Sequence, residues 1–115
     1  MESLMTTTDP DFQRVMECVF GIQAHEVRVH FALQEAPGST ASELADDLDR
    51  DRSNINRSLS ALHENGLIER QRRLLDGGGY IYQYFAIPVT DMKERMHAGV
   101  DAWAEDVHET IDALE

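Results

Sequence analysis

The stretch "RDRSNINRSLSALHENGLIERQRR", residues 50–73, decides the fold, because a helix, its stop and the start of a strand are all written in it. Ile55, Leu59 and Leu62 recur at i, i+4 and i+7, the stripe of a helix with one buried face. Ser53 stands where it can cap the start of that helix, and Gly66 offers the left-handed backbone that ends it. After Gly66 the helical period is lost, and "LIERQRRLL" (67–75) is a β-rich run.

The same window gathers cations. It holds six of the ten Lys+Arg residues (Arg50, Arg52, Arg57, Arg70, Arg72, Arg73) against Asp51, Glu64 and Glu69, so it is +3 in a chain of net charge -12 and the remainder is -15. A cationic face inside an anionic shell attracts a polyanion at that place only. The other reading of the charge alone is a solvated face whose arginines pair with carboxylates from elsewhere.

Working outward toward the N-terminus, "TASELADDL" opens with Thr40 and has Glu43 three residues on, the reciprocal capping arrangement of a helix start, with Leu44, Ala45 and Leu48 facing inward. "DRD" (49–51) is a short polar turn, so two short helices joined tightly form a helix-turn-helix. Before it, a helix from about Ala24 to Gln34 buries Val27, Phe31, Ala32 and Leu33, and "EAPGST" breaks it. Phe12, Val15, Met16, Val19 and Phe20 make a first helix that stops at Gly21, and residues 1–9 read as a frayed start. Cys18 reads as a small buried residue of that first helix; as a lone cysteine it forms no intramolecular disulfide.

Toward the C-terminus, "DGGG" (76–79) supplies the positive-φ residues of a hairpin loop, "YIYQYFAI" (80–87) is the return strand, and Pro88 ends it. From Thr90 the chain is helical again, and Met92, Met96, Val100, Trp103, Val107, Ile111 and Leu114 are spaced close to a heptad seam. The expected organisation is therefore residues 1–9 as a flexible start, 10–88 as a winged helix-turn-helix, and 89–115 as a dimerisation helix, mainly α with a small β-hairpin.

At 115 residues the chain is one modest domain that oligomerisation would help to stabilise. It contains no run of about eighteen apolar residues and no basic-then-apolar leader, so a cytoplasmic protein with no membrane partner is expected. Twenty-two Asp+Glu face nine arginines and only Lys93. Such an acid-rich, lysine-poor surface suits concentrated intracellular salt and reads as that of a halophilic archaeon.

The residues "GIQAHEVRVHFALQEAPGSTASELADDLDRDRSNINRSLSALHENGLIERQ", together with "YQYFAIP" at 82–88, resemble the N-terminal domain of TrmB-type archaeal transcription regulators, and more loosely the MarR and ArsR groups. The resemblance covers roughly residues 20–90; its most specific pieces are the recognition-helix end running into "GLIER" and the strand end "YFAIP". It implies a DNA-binding transcription regulator, with the helix beginning near Arg52 in the major groove and the hairpin as wing. Full-length TrmB proteins carry a sugar-binding domain that this sequence, ending after one helix, does not include, so sugar sensing is not carried over with the resemblance.

The residues support that reading independently. With Ile55, Leu59 and Leu62 turned inward, the opposite face presents Arg52, Ser53, Asn54, Asn56, Arg57 and Ser60, with no acid between Arg52 and Leu62. Arg pairs bidentately with guanine, Asn with adenine, and Ser with base edges or phosphate. On the first strand, Arg70 and Arg72 share one face and Arg73 takes the other: one face meets phosphate or the minor groove, while the other can pair with an acid such as Glu69 or Asp76. Tyr80, Tyr82 and Tyr84 share a face of the return strand; Tyr82 and Tyr84 are expected to pack, and Tyr80, beside the glycines, to touch DNA backbone. Met96, Val100, Trp103, Val107, Ile111 and Leu114 form the expected homodimer interface, which implies a pseudo-palindromic operator.

Three rival readings are open to the same residues. A metal-responsive ArsR-like repressor would use His97 and His108, but Arg95 and Ile111 occupy the other ligand positions of that family's D-x-H-x10-H-x2-[EH] motif. An enzyme would need a nucleophile elbow, phosphate loop or zinc-ligand set, and the sequence carries none. A winged helix that binds only protein would not need the cationic face. No cofactor or metal is expected, and no effector site is marked.

Overall fold

The computed structural model describes residues 11–115; the expected frayed start at 1–9 lies outside the described residues. Five helices and one hairpin follow in the order α1 (Phe12–Phe20), α2 (Ala24–Glu35), α3 (Ala41–Leu48), α4 (Arg52–Glu64), β1 (Ile68–Leu74), β2 (Tyr80–Ala86) and α5 (Val89–Asp112). They form two compact units: Gln23–Ile87, and residues 11–22 with Pro88–Glu115. The first helix, assigned from the sequence to the 10–88 body, makes its compact unit with α5.

In the Gln23–Ile87 unit, local sequence sets each helix end. The Thr40 hydroxyl accepts from the Glu43 amide at 3.1 Å while the Glu43 carboxylate accepts from the Thr40 amide at 2.9 Å, which satisfies two amides that α3 leaves unpaired at its start. At the end of α3, Asp49 adopts φ 54°, and the Arg50 amide returns to the Ala45 carbonyl. Asp tolerates this left-handed geometry better than most residues, so a three-residue turn suffices to launch α4. Helix α4 begins one residue before the expected cap. Asp51 occupies the cap position without a side-chain bond, and Ser53 is an exposed residue inside the first turn. The far end closes as expected: Gly66 takes φ 71°, its amide donates to His63 and the Leu67 amide to Leu62.

Those turns assemble one core. Ile55, Leu59 and Leu62 of α4 are buried with Leu44 and Ala45 of α3, Val27 and Leu33 of α2, and Leu67, Ile68, Tyr84 and Ile87 of the hairpin. Leu48 is only half-buried. The buried face of α2 differs from the one expected: Val29 and His30 are enclosed and Phe31 is 46% exposed. Positions 27, 30 and 33 form the actual stripe, and a histidine inside it disguises the pattern because imidazole counts as polar until its nitrogens find partners.

They do find partners. The His30 Nε2 lies 3.2 Å from the Leu67 carbonyl oxygen and its Nδ1 3.2 Å from the Gln34 side-chain amide. A carbonyl can only accept, so Nε2 carries the proton, Nδ1 accepts from Gln34, and the ring is neutral. Burial pushes the imidazole below its ordinary value of 6.5, and the bond to the Leu67 carbonyl offsets part of that shift.

The two strands pair antiparallel with Ile68 opposite Ala86 and Leu74 opposite Tyr80. The loop between them uses positive φ at Gly78 and Gly79, and the Leu75 amide donates to the Gly79 carbonyl. The hairpin is anchored at its base. Tyr84 exchanges backbone hydrogen bonds with Gly38 and Ser39, both at 2.9 Å, so the segment before α3 adds a short third rung.

In the other unit, Asp11 caps α1 by accepting from the Arg14 amide at 2.8 Å, and Gly21 ends that helix at φ 69°. Helix α5 follows Pro88 and carries Asp91 in its first turn, where a carboxylate complements the helix dipole. The helices α1 and α5 meet at Gly99: a Cβ there would collide with Val19 Cγ1. Met16 and Met92 are buried, whereas Cys18, expected inside, is exposed on α1.

Candidate nucleic-acid interface

The face of α4 opposite Ile55, Leu59 and Leu62 is exposed at Arg52, Ser53, Asn56, Arg57 and Ser60, with Asn54 half-buried. Asn54 and Arg57 are one helical turn apart, and the Asn54 Oδ1 accepts a hydrogen bond from Arg57 Nη2. The bond uses one of five guanidinium donors, so a planar edge remains for a second partner.

The hairpin supplies a second wall. Because Leu74 pairs with Tyr80, the strand face bearing Arg70 and Arg72 is also the face bearing Tyr80, Tyr82 and Tyr84. Each arginine reaches diagonally to a ring: Arg70 Cζ lies 4.2 Å from the Tyr82 ring centroid and Arg72 Cζ 5.2 Å from that of Tyr80. The two rings meet edge to face, 5.3 Å apart at 72°. Burial along this face is graded, with Tyr84 in the core, Tyr82 half-buried and Tyr80 49% exposed. Arg73 is exposed on the opposite strand face. Glu69 shares that face, four strand positions before Arg73, and is also exposed.

Two adjoining grooves lie between these walls. One, of about 410 Å3, is lined by Thr40 and Ser42 at the start of α3, Arg52 and Asn56 of α4, and Tyr80 and Tyr82 of the wing. The other, of about 260 Å3, runs between Asn56, Ser60 and His63 on α4 and Arg70 and Tyr82 on the wing. Asn56 and Tyr82 belong to both, so the polar helix face and the Arg-Tyr face border a continuous channel. Sequence reasoning overlooked Thr40, Ser42, His63 and the stacking role of Tyr82. Alternation in "YIYQY" and "RQRR" contained that last signal, but only the strand register matches each arginine to its ring.

The expected dimer residues lie on α5, in the other unit. Met96 is half-buried; Val100, Trp103, Val107, Ile111 and Leu114 are exposed, Trp103 at 50% and Leu114 at 77%. His97 and His108 are both exposed on this helix, and among the described residues no group of three His, Cys, Asp or Glu side chains is gathered to hold a metal ion. No helix among the described residues is long and apolar enough to cross a membrane.

Comparison with known proteins agrees with this architecture. The family model described as "Sugar-specific transcriptional regulator TrmB" matches residues 16–90. An "uncharacterized protein" of Methanocaldococcus jannaschii is 32% identical over 104 residues, covering 90% of this chain and 79% of the relative. Among solved structures, a "possible transcriptional regulator" from Methanosarcina mazei superimposes with a TM-score of 0.77 at 25% identity, covering 88% of this chain and 86% of that one. FabT of Streptococcus pneumoniae, crystallised in complex with DNA, shares the fold with a TM-score of 0.53 at 20% identity, over 82% of this chain and 63% of its own. With the family model spanning the helix-turn-helix and the wing, the chain belongs to the TrmB family of winged-helix transcriptional regulators.

Proposed function

We propose that this protein is a sequence-specific, double-stranded-DNA-binding regulator that acts in the cytoplasm as a homodimer on a pseudo-palindromic operator. The observation that carries the proposal is the channel bordered by an acid-free helix face and an arginine-bearing wing, in a chain of net charge -12. Arg52, Ser53, Asn54, Asn56, Arg57 and Ser60 read base edges in the major groove. Arg70, Arg72, Arg73 and Tyr80 meet the sugar-phosphate backbone or the minor groove and set the register.

Met96, Val100, Trp103, Val107, Ile111 and Leu114 of α5 form the homodimer seam, which is supported by their helical spacing and by the exposure of five of the six. Two-fold pairing asks for half-sites about one DNA turn, roughly 34 Å, apart. In the concentrated salt that the acidic composition suits, counterion release contributes less to affinity, so base contacts and stacked cations carry a larger share.

Immunoprecipitation of the protein from cells, followed by sequencing of the bound DNA, tests the proposal. Discrete sites sharing one two-fold-related motif are expected; dispersed signal without a motif would overturn it.

A further inference from the structure

The feature that the functional reading leaves unexplained is the pairing of wing cations with rings. Winged helices need cations near the backbone, but nothing in that need requires each guanidinium to lie over a tyrosine. Here both arginines of one strand face do so, across one antiparallel register, with the rings themselves packed edge to face. Arg70, Tyr80 and Tyr82 of the stack line the channel beside Asn56 and Ser60 of α4.

We infer that Tyr82 and Tyr80 are positioning residues that hold the Arg70 and Arg72 guanidinium groups ready as phosphate ligands; the inference rests on the DNA-binding function proposed above. Three physical points support it. First, a guanidinium stacked on a ring presents its flat face to the aromatic π-cloud, while its N–H donors lie in the plane of the group and stay available to a phosphate oxygen. An ion pair with a carboxylate would have consumed those donors.

Second, an arginine on an exposed strand samples many rotamers, and ordering it at the moment of binding costs conformational entropy. The ring removes part of that cost before DNA arrives. Tyr82 is itself only half-exposed, and its neighbour Tyr84 is held by backbone bonds to Gly38 and Ser39, so the platform is tied to the core. Third, contact between a cation and a ring face acts at short range, whereas ion pairs on an exposed surface weaken as salt screens them. In an acid-rich chain the stack also keeps the arginines from being captured by carboxylates.

The test is a double-mutant cycle on binding to a pool of random-sequence duplex DNA, since phosphate contacts carry no sequence information. Tyr82→Leu should weaken binding roughly two- to five-fold, the range of an exposed cation–π contact, whereas Tyr82→Phe should bind like the wild type. In an Arg70→Ala background, Tyr82→Leu should have no further effect; the slope of affinity against salt should fall in Arg70→Ala but stay near the wild type's in Tyr82→Leu, where the cation is kept and only its ordering is lost.

Additive losses, or a Tyr82→Leu protein that binds like the wild type, would overturn the positioning role while leaving the DNA-binding function standing. A coupling seen in unfolding stability but not in DNA affinity would overturn it equally, because that pattern belongs to a hairpin brace. Failure of the wild type to bind any duplex would remove both the function and this inference. Should Tyr82→Leu not fold, Tyr82→Met runs the same cycle against Arg70→Ala, since a methionine fills the half-buried site without offering a ring face.

Discussion

His30 on α2 donates to the carbonyl oxygen of Leu67, 37 positions later, at 3.2 Å, and that same carbonyl accepts the Ile87 amide at the base of the hairpin. One oxygen thus ties a helix to both ends of the wing. The other ring nitrogen, Nδ1, accepts from the Gln34 side-chain amide and so needs a neutral ring, and burial lowers the imidazole below its ordinary 6.5. A lowered folded value means that the unfolded chain takes up the proton first as pH falls. Stability should therefore be fully present above about pH 6.5 and decline as pH falls below it. Urea unfolding followed between pH 8 and pH 5 checks the sign, and His30→Leu, which has no proton to gain, should remove this part of the dependence at a cost of roughly 1–3 kcal/mol at neutral pH.

Gly99 offers a prediction opposite to helix propensity. Alanine in place of a helical glycine ordinarily stabilises by roughly 0.5–1 kcal/mol. Here the added methyl would meet Val19 Cγ1, and a β-branched side chain has few rotamers in which to retreat. Gly99→Ala should destabilise by roughly 1–3 kcal/mol in thermal or urea unfolding. The double variant Gly99→Ala, Val19→Ala should recover more than half of the loss; a stabilising Gly99→Ala would show that α1 and α5 do not meet at this glycine.

Arg57 and Arg73 should differ in kind. Arg57 projects from the polar face of α4 with Asn54 bonded to it, so under the proposed function Arg57→Ala should cost roughly 1–3 kcal/mol at one base position and relax selectivity there. Arg73→Ala, on the exposed outer strand face, should weaken all sequences alike and lower the salt slope by about 1. Affinities measured over a panel of single-base operator variants separate the two patterns; uniform loss for Arg57→Ala would remove it from the base-reading set.

Trp103 tests the dimer. The aromatic side chain is half-exposed near the middle of an α5 seam that continues through Val107 and Ile111. Trp103→Glu places a charge in that seam and should convert a dimer into a monomer by sedimentation equilibrium, with affinity for a two-half-site operator falling by at least tenfold through loss of linked binding. A wild-type protein that stays monomeric at micromolar concentration would defeat this arrangement.

Much of the fold was legible because it is written locally. The Thr40 and Glu43 box, the glycine stop at 66, the glycine-rich loop and the Ile55, Leu59, Leu62 stripe each involve residues within a few positions of one another, and the chain needs no distant partner to express them. The polar face of α4 follows from that stripe, since a helix with one side buried presents the other.

What tertiary structure decided involves partners distant in sequence. His30 is interior only because folding brings the Leu67 carbonyl to it, and Phe31 faces out because the stripe runs through that histidine. Ser53 lost its capping role to a helix that begins at Arg52, and Cys18 lies on the outer side of α1. The Arg-Tyr stack depends on the hairpin register, because a one-residue slip would carry every ring to the other face of the strand. The sequence by itself determined the order of the elements, the glycine stops that end α1 and α4, and which face of α4 is polar. Tertiary pairing decided which polar groups could be buried and which cations stand beside rings, because a buried donor or a stacked guanidinium is stable only once its partner is in place.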